Sequence, residues 1–506
     1  MKPMRNSPKH PYFFLLAGIL CAVIAQAQDA PTHSARAESL VIANTTMLDG
    51  NGRPAIGPVS IYIRGDRIER IVPGRARPEQ LAEVDTIIDG EGKYTLPGFI
   101  NMHSHLHPSP AGRAQPLQYQ YNLWLAAGIT TMRDVGSDYE LALDQRAQIA
   151  AGAIHAPRLL VYMWFPSGDL DTEGFEQGDA PTERDIRRMV RQIKDLGADG
   201  MKVRHFDRDS FLIIGDEARN IGLKIAHHVG VEDATAWDDA AVGTSTIEHW
   251  YGVPDAALNG VQEFPPDFNF NNELHRFRYA GRIWREADPD KLREVLQALI
   301  NAGVAWDPTF SIYEACRDLQ RAITNPALEH YLHPSLEAYF TPNPEYHGSF
   351  FFGWTNTDEV FWKENFRIWM DAVMEFSRMG GTVTTGEDAG YIYKVYGFGY
   401  QRELQMHEEA GFHPLEVIRH ATHNGAKVLG MDQEIGRIKT GFRADLVVVN
   451  GNPLENLQIL MPKGLNETLD SQRGEKGGIE WTIRDGVPYH APTLLAEVRA
   501  MVEDAR

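Results

Sequence analysis

The sequence predicts an α/β protein: a (β/α)8 TIM-type barrel with a small composite β-sandwich domain formed by the N- and C-terminal segments. The middle of the chain, residues 98–429, alternates short apolar runs with helical stretches, the pattern of parallel strands joined by crossover helices. The two ends instead read as short strands punctuated by DG and GD turns, over residues 40–97 and again over 430–490. Glycine-rich phosphate or dinucleotide fingerprints are missing after every candidate strand, which leaves a doubly wound open sheet as the structural alternative and removes its usual ligands.

Eight runs qualify as barrel strands: FINMHSH, TTMRDVG, RLLVYMW, GMKVR, KIAHHVG, STIEHWYG, VAWDPTF and TVTTGEDAG. In such a barrel the C-terminal ends of the strands meet at one mouth, so residues far apart in sequence share a site. The ends flank this unit with LVIANTTMLDG and VSIYIRGDRIERIV on one side and ADLVVVNGNP and IEWTIRDGVPY on the other. An unusually long, aromatic-rich stretch, residues 310–369, separates the last two barrel strands and is expected to form a pocket wall or lid, or an oligomer contact.

Residues 1–27 stand apart. Lys2, Arg5 and Lys9 precede the apolar run YFFLLAGILCAVIA, and AQA precedes Gln28, the layout of a cleavable export signal. The run is shorter than the roughly 20 residues of a spanning helix, which disfavours a retained anchor. Leu20 before Cys21 is too bulky for a lipid-attachment motif. The mature protein is therefore expected in the periplasm or secreted. Losing three basic residues takes the net charge from −20 to −23, which argues against nucleic acid and against a membrane-binding patch. Cys316 is then the one cysteine left, so intrachain disulfides are excluded and a buried small side chain is expected there.

The chemistry gathers at the strand ends. In LPGFINMHSHLH, His103 and His105 occupy alternate positions and so share one face of a strand. Further candidates follow in order: Lys202 in GADGMKVR, His227 in IAHHVG, His249 in TIEHW and Asp388 in GEDAG. His227 and His228 are adjacent and must point to opposite faces, so one of the two can join the others. His107 continues the alternation beyond the strand end, as a loop residue or a supporting one.

With these motifs the chain, from Leu40 to Leu457, resembles the amidohydrolase superfamily, in particular its imidazolonepropionase-related and Xaa-Pro dipeptidase-like branch. The likeness rests on LPGFINMHSH, AAGITTMRDVG, GADGMKVR, STIEHWYG, TTGEDAG and GFHPLEVIRHATHNGAKVLGMDQEIGRIKTGFRADLVVVNGNPLENL. It implies a pair of zinc ions, or other divalent metals. His103, His105 and Asp388 would hold one; His227 and His249 would hold the second; Lys202, carboxylated by CO2 to N6-carboxylysine, would bridge them. The resemblance selects His227 over His228 and leaves His228 as a pocket or core residue. Asn101 stands where the motif commonly has Asp.

An ammonium cannot ligate a cation, whereas a lysine carbamate offers two anionic oxygens to two ions, and its formation needs the neutral amine that burial favours. What the resemblance implies is a metal-dependent hydrolase that cleaves an amide or peptide C–N bond of a dipeptide or N-acyl amino acid with a hydroxide bridging two zinc ions, Asp388 acting as the proton carrier. Arg204, Arg133, Tyr251 and His228 are candidate substrate contacts, with a structural ion pair the preferred role for each of the two arginines. A mononuclear deaminase, a cyclic-amide hydrolase and a lactonase or phosphotriesterase-like ester hydrolase of the same fold are the alternatives. The partner is a small molecule, and a homo-oligomer is compatible with the sequence.

Overall fold

The computed structural model describes residues 31–82, 84–165, 181–204, 206–228, 234–260, 273–343, 348–349, 351, 353–462 and 477–506. The predicted signal, residues 1–27, lies outside them. Among the described residues no helix is long and apolar enough to cross a membrane.

Strands β1 (Ser39–Met47), β2 (Ile56–Arg64), β3 (Arg67–Pro73), β4 (Thr86–Asp89) and β5 (Tyr94–Pro97) come from the N-terminal end. β13 (Leu446–Val449), β14 (Ile479–Arg484) and β15 (Val487–His490) come from the C-terminal end. They join into a single sheet in the order β15-β14-β13-β5-β1-β2-β3, with β4 paired to β1. The seam is the antiparallel β13–β5 pair, Leu446 opposite Pro97 and Val449 opposite Tyr94. The composite unit expected from the two ends is thus one continuous eight-stranded sheet. Period-two alternation lets β13 serve two cores: Leu446 and Val448 pack with Ile42, Ile61 and Ile483, whereas Val447 and Val449 belong to the main core of the barrel.

Among the described residues the barrel holds seven parallel strands in sequence order: β6 (Phe99–Ser104), β7 (Ile129–Val135), β8 (Arg158–Phe165), β9 (Gly200–Arg204), β10 (Lys224–His228), β11 (Thr246–Glu248) and β12 (Ala305–Asp307). TVTTGEDAG, the eighth expected strand, is too irregular to count as one, yet it fills the remaining gap. The Trp306 amide donates to the Thr382 carbonyl and the Thr384 amide to that of Trp306, both at 2.9 Å, while the Met102 amide reaches the Thr385 carbonyl at 2.9 Å. Residues 382–385 therefore bond to β12 on one side and to β6 on the other. Gly386 follows because any Cβ there would stand 2.5 Å from the His103 Cβ and 2.4 Å from an Asp307 carboxylate oxygen.

Crossover helices have explicit ends. Asp207 caps Arg208–Ile221 by accepting from the Ser210 amide at 2.9 Å, and Gly222 terminates it in the left-handed region. Thr355 and Asp358 form a capping box at the start of Asn356–Arg378. The 310–369 stretch is mostly short helices, and Cys316 is fully buried as expected.

The join between sheet and barrel is tight at Gly98, whose amide donates to the Asp445 carbonyl at 2.8 Å. A Cβ there would lie 2.2 Å from the Thr130 hydroxyl oxygen and 2.4 Å from its methyl. Gly98→Ala is expected to cost about 1–3 kcal/mol of stability by overpacking, read from denaturant unfolding, and Thr130→Ala in the same chain should return part of that loss.

Candidate active site

Side-chain parity decides what enters the barrel. On β6, Ile100 and Met102 pack outward among Ala426 and Leu429, so Asn101, His103 and His105 share the inner face. On β9, Met201 and Val203 join the outer core, which leaves Lys202 and Arg204 inside. β9 and β10 pair with Lys202 opposite Ala226 and Arg204 opposite His228. His228 therefore faces inward with Lys202.

His227 faces the other way. It stacks on Phe211 with ring centroids 4.0 Å apart, and its Nδ1 meets an Asp239 carboxylate oxygen at 2.8 Å, both partners lying on crossover helices. The expectation that His227 joins the site is corrected on this geometry: His228 stands there instead, its ring centroid 4.7 Å from that of His249. The signal was available in the sequence, because His227 shares its parity with the outward Ile225.

The other predicted residues converge. Asp388 sets one carboxylate oxygen 3.3 Å from His105 Nε2 and 3.6 Å from His103 Nε2, and the other 3.8 Å from His249 Nε2. Lys202 Nζ lies 3.2 Å from His103 Nε2. Donor atoms of His103, His249 and Asp388 all fall within 4.8 Å of one another. Lys202 is buried, and that burial brings its pKa down to about 8. Burial alone would raise the Asp388 pKa, but His103, His105 and His249 hold it well below the usual carboxylate range.

Hydrogen bonds on the far side of each ring set the tautomers. His103 Nδ1 lies 2.6 Å from a Glu248 carboxylate oxygen, which can only accept, so Nδ1 carries the proton and Nε2 the lone pair. His249 Nδ1 lies 2.6 Å from the Thr309 hydroxyl oxygen, whose proton goes to the Pro308 carbonyl at 2.7 Å. That hydroxyl must accept from His249, which again leaves Nε2 bare. Two imidazole lone pairs, a carboxylate and a buried amine with a lowered pKa are a donor set that fits divalent metal.

Sequence reading missed the supports. Glu248 alternates inward beside Thr246 and is held between His103 and Arg133, whose guanidinium donates to it at 2.7 Å. Burial opposes its charge, but Arg133, Lys202 and His103 hold its pKa well below normal. Arg133 is thus the structural ion pair expected of it. Asn101 donates to Glu387 at 3.0 Å, and burial raises the pKa of Glu387 to about 8. An Asp at 101 would set a second carboxylate against that one, so Asn suits this chain.

His107 sits past β6 between the Tyr391 and Tyr396 hydroxyls, at 2.7 Å each. From the 310–369 stretch, Tyr313 accepts the Tyr251 hydroxyl at 2.9 Å and stands edge-on to His249 at 5.5 Å. Tyr339 lies beside Tyr391, ring centroids 5.8 Å apart. The stretch does wall the site.

Comparison with known proteins bears on the fold and on one segment of the chain. The amidohydrolase family model matches residues 373–469. A Xaa-Pro dipeptidase with bound methionine in its active site is similar in structure, with a TM-score of 0.61 and 20% identity over 89% of this chain and 100% of that one. Bottromycin amidohydrolase is similar with a TM-score of 0.64 and 16% identity, over 93% and 92%. A 5-methylthioadenosine/S-adenosylhomocysteine deaminase of Caldanaerobacter subterraneus subsp. tengcongensis is 35% identical over 68 residues, a segment spanning 13% of this chain and 15% of that deaminase. The αβ-barrel carries a residue cluster that could hold a metal ion. The family match is confined to residues 373–469, and the solved structures share the fold of the chain as a whole.

Inward and outward histidines make opposite predictions. His228→Gln should weaken zinc binding by at least about 10–100-fold in equilibrium dialysis with little change in the unfolding midpoint, whereas His227→Gln should lower the midpoint and leave zinc stoichiometry unchanged.

Proposed function

We propose that this protein is an exported hydrolase that cleaves the amide or peptide C–N bond of a small dipeptide or N-acyl amino acid. The observation that carries this is the convergence of His103, His105 and His249 through their Nε2 atoms on Asp388, with Lys202 Nζ 3.2 Å from His103 Nε2. In this reading His103, His105 and Asp388 hold one zinc ion and His228 and His249 hold the other. Lys202, as a carbamate, would supply anionic oxygens to both. Its amine, whose pKa burial lowers to about 8, has a neutral fraction near that pH that would form the N–C bond to CO2 and release a proton, and the carbamate would gain the anionic oxygens the amine lacks.

Bound there, the metals would supply Lewis-acid activation of water and of the scissile carbonyl. Asp388 is placed to take the proton of the attacking water and hand it to the leaving amine. Glu248 and Thr309 keep the His103 and His249 rings in the ligating tautomer throughout. Export to the periplasm or beyond rests on residues 1–27 alone. A mononuclear deaminase remains the second reading because of the deaminase match, and the inward placement of Lys202 beside His103 speaks against it.

The test is Lys202→Ala, assayed for metal content and for turnover of a panel of dipeptides and N-acyl amino acids. The expected result is about two zinc ions per wild-type chain, falling in the variant together with loss of turnover. One zinc ion in the wild type, or turnover indifferent to the substitution, would overturn the bridged site.

A further inference from the structure

Glu387 precedes Asp388 in the turn that follows residues 382–385, and it is fully buried. Four N–H groups from separate parts of the chain point at its carboxylate. Asn101 on β6 donates to Oε1 at 3.0 Å, and the Trp124 indole, on the helix Leu117–Ala126, donates to the same oxygen. The Gly397 and Tyr400 amides donate to Oε2 at 2.9 and 2.8 Å. The Asn101 side chain cannot be turned round, because its Oδ1 already accepts from the His103 and Glu387 backbone amides at 3.2 Å each. A carboxylate accepts at both oxygens and satisfies all four donors, whereas a glutamine amide would satisfy two. Burial opposes the charge, and these bonds are what favour it.

Two of the bonds cap a helix. Phe398–Glu409 starts from Gly397, which has no side chain to accept from its own first turn, and Tyr400 is the third residue of that turn. Glu387 takes the missing place, where free N–H groups and the helix dipole favour a negative charge. Gly399 leaves room for it, since a Cβ there would stand 3.0 Å from the Glu387 carboxylate oxygen. The same helix carries Glu403, which accepts from the Phe310 and Ser311 amides beside Thr309, the residue that orients His249.

We infer that Glu387 is the positioning residue for Asp388: by capping Phe398–Glu409 and gathering Asn101 and Trp124, it fixes the backbone from which Asp388 reaches His103 and His105. The inference rests on the hydrolase reading above and adds to it the group that sets the proton carrier. Asp388 has a φ of 48°, a left-handed conformation that persists where contacts hold it. Its amide donates to the His103 carbonyl at 3.0 Å and the Glu387 amide to Asn101, so both peptide groups are tied to β6. The Glu387 side chain ties the same turn to the two helices behind it. Through Glu403 the capped helix also keeps the Thr309 turn, and with it His249, in step with Asp388.

Glu387→Gln tests this beside Asp288→Ala, which removes two cap bonds, from the Asp290 and Lys291 amides, on Pro289–Ala302, a helix that carries no residue of the site. The purified proteins are compared by unfolding midpoint, zinc affinity in equilibrium dialysis, the visible spectrum of the cobalt(II)-loaded chain, and crystal structures with and without zinc. Glu387→Gln is expected to weaken zinc binding by about 10–100-fold, the range for groups that orient metal ligands, and to shift the cobalt bands. In its metal-free crystal the Asp388 carboxylate should leave its 3.3 Å contact with His105. Asp288→Ala should lower the midpoint and change none of the site readouts. Glu387→Asp, which keeps the charge and shortens the reach by one methylene, should fall between, and it carries the test if the glutamine chain does not fold. An Asp388 that keeps its place while the midpoint alone falls would overturn the assignment and leave Glu387 as a helix cap. A wild type that takes up no zinc, with Asp388 displaced in Glu387→Gln, would support the positioning role and count against the hydrolase reading alone.

Discussion

The site depends on one buried carboxylate. Glu248 is fully enclosed, and its two oxygens are divided between Arg133, at 2.7 Å, and His103 Nδ1, at 2.6 Å. Three strands, β6, β7 and β11, are tied through it. Removing water from an ion pair costs several kcal/mol per ion, and hydrogen bonds to the remaining lone pairs must offset that. Here Thr246 donates to one Glu248 oxygen at 2.5 Å and Arg133 also donates to the Met102 carbonyl at 2.5 Å, so the pair is satisfied on several sides. The result is an imidazole whose tautomer and direction are fixed from behind. Without this network the barrel interior would hold a charge with no partner, and His103 would have no reason to present Nε2 to the mouth.

A second constraint is conformational. His249, Thr309 and Asp388 all have positive φ, of 62°, 49° and 48°, a region that L-residues visit at a cost and that a β-branched threonine finds especially hard. Such strain persists only where surrounding contacts over-determine it. For Thr309 the holding contacts come from a distant helix, Phe398–Glu409: the fully buried Glu403 accepts from the Phe310 amide at 2.9 Å and the Ser311 amide at 2.6 Å. His407 stands 3.2 Å from that carboxylate. The turn that orients His249 is thereby anchored from outside the barrel, and the long segment that follows it can wall the site without setting its geometry.

Much of this was legible in the sequence because barrels are strict about parity. The alternation of His103 and His105, the inward Lys202 and the strand-end Asp388 follow from period two and from strand order, and the structure brings them together. The same rule applied to KIAHHVG selects His228, since Ile225 marks the outer face; the family pattern pointed to His227, and the pairing of β9 with β10 reverses it. Glu248 could have been read from its place after the outward Ile247, whereas His249 breaks the alternation with a positive φ. Glu403 and the Thr309 turn could not, because their roles exist only through contacts made across about ninety residues of chain. The eighth strand was placed correctly as a segment and not as a regular strand: Gly386 and the positive φ of Asp388 trade ladder pairing for the approach of Asp388 to the histidines.

The central claim is that two metals share this site through Lys202, with His228 rather than His227 on the second. Anomalous diffraction at the zinc edge from crystals of zinc-loaded protein tests it most directly. The account predicts two peaks, one among His103, His105 and Asp388 and one beside His228 and His249, joined by density extending from Lys202 Nζ. A single peak, a lysine without added density, or a metal at His227 would contradict it.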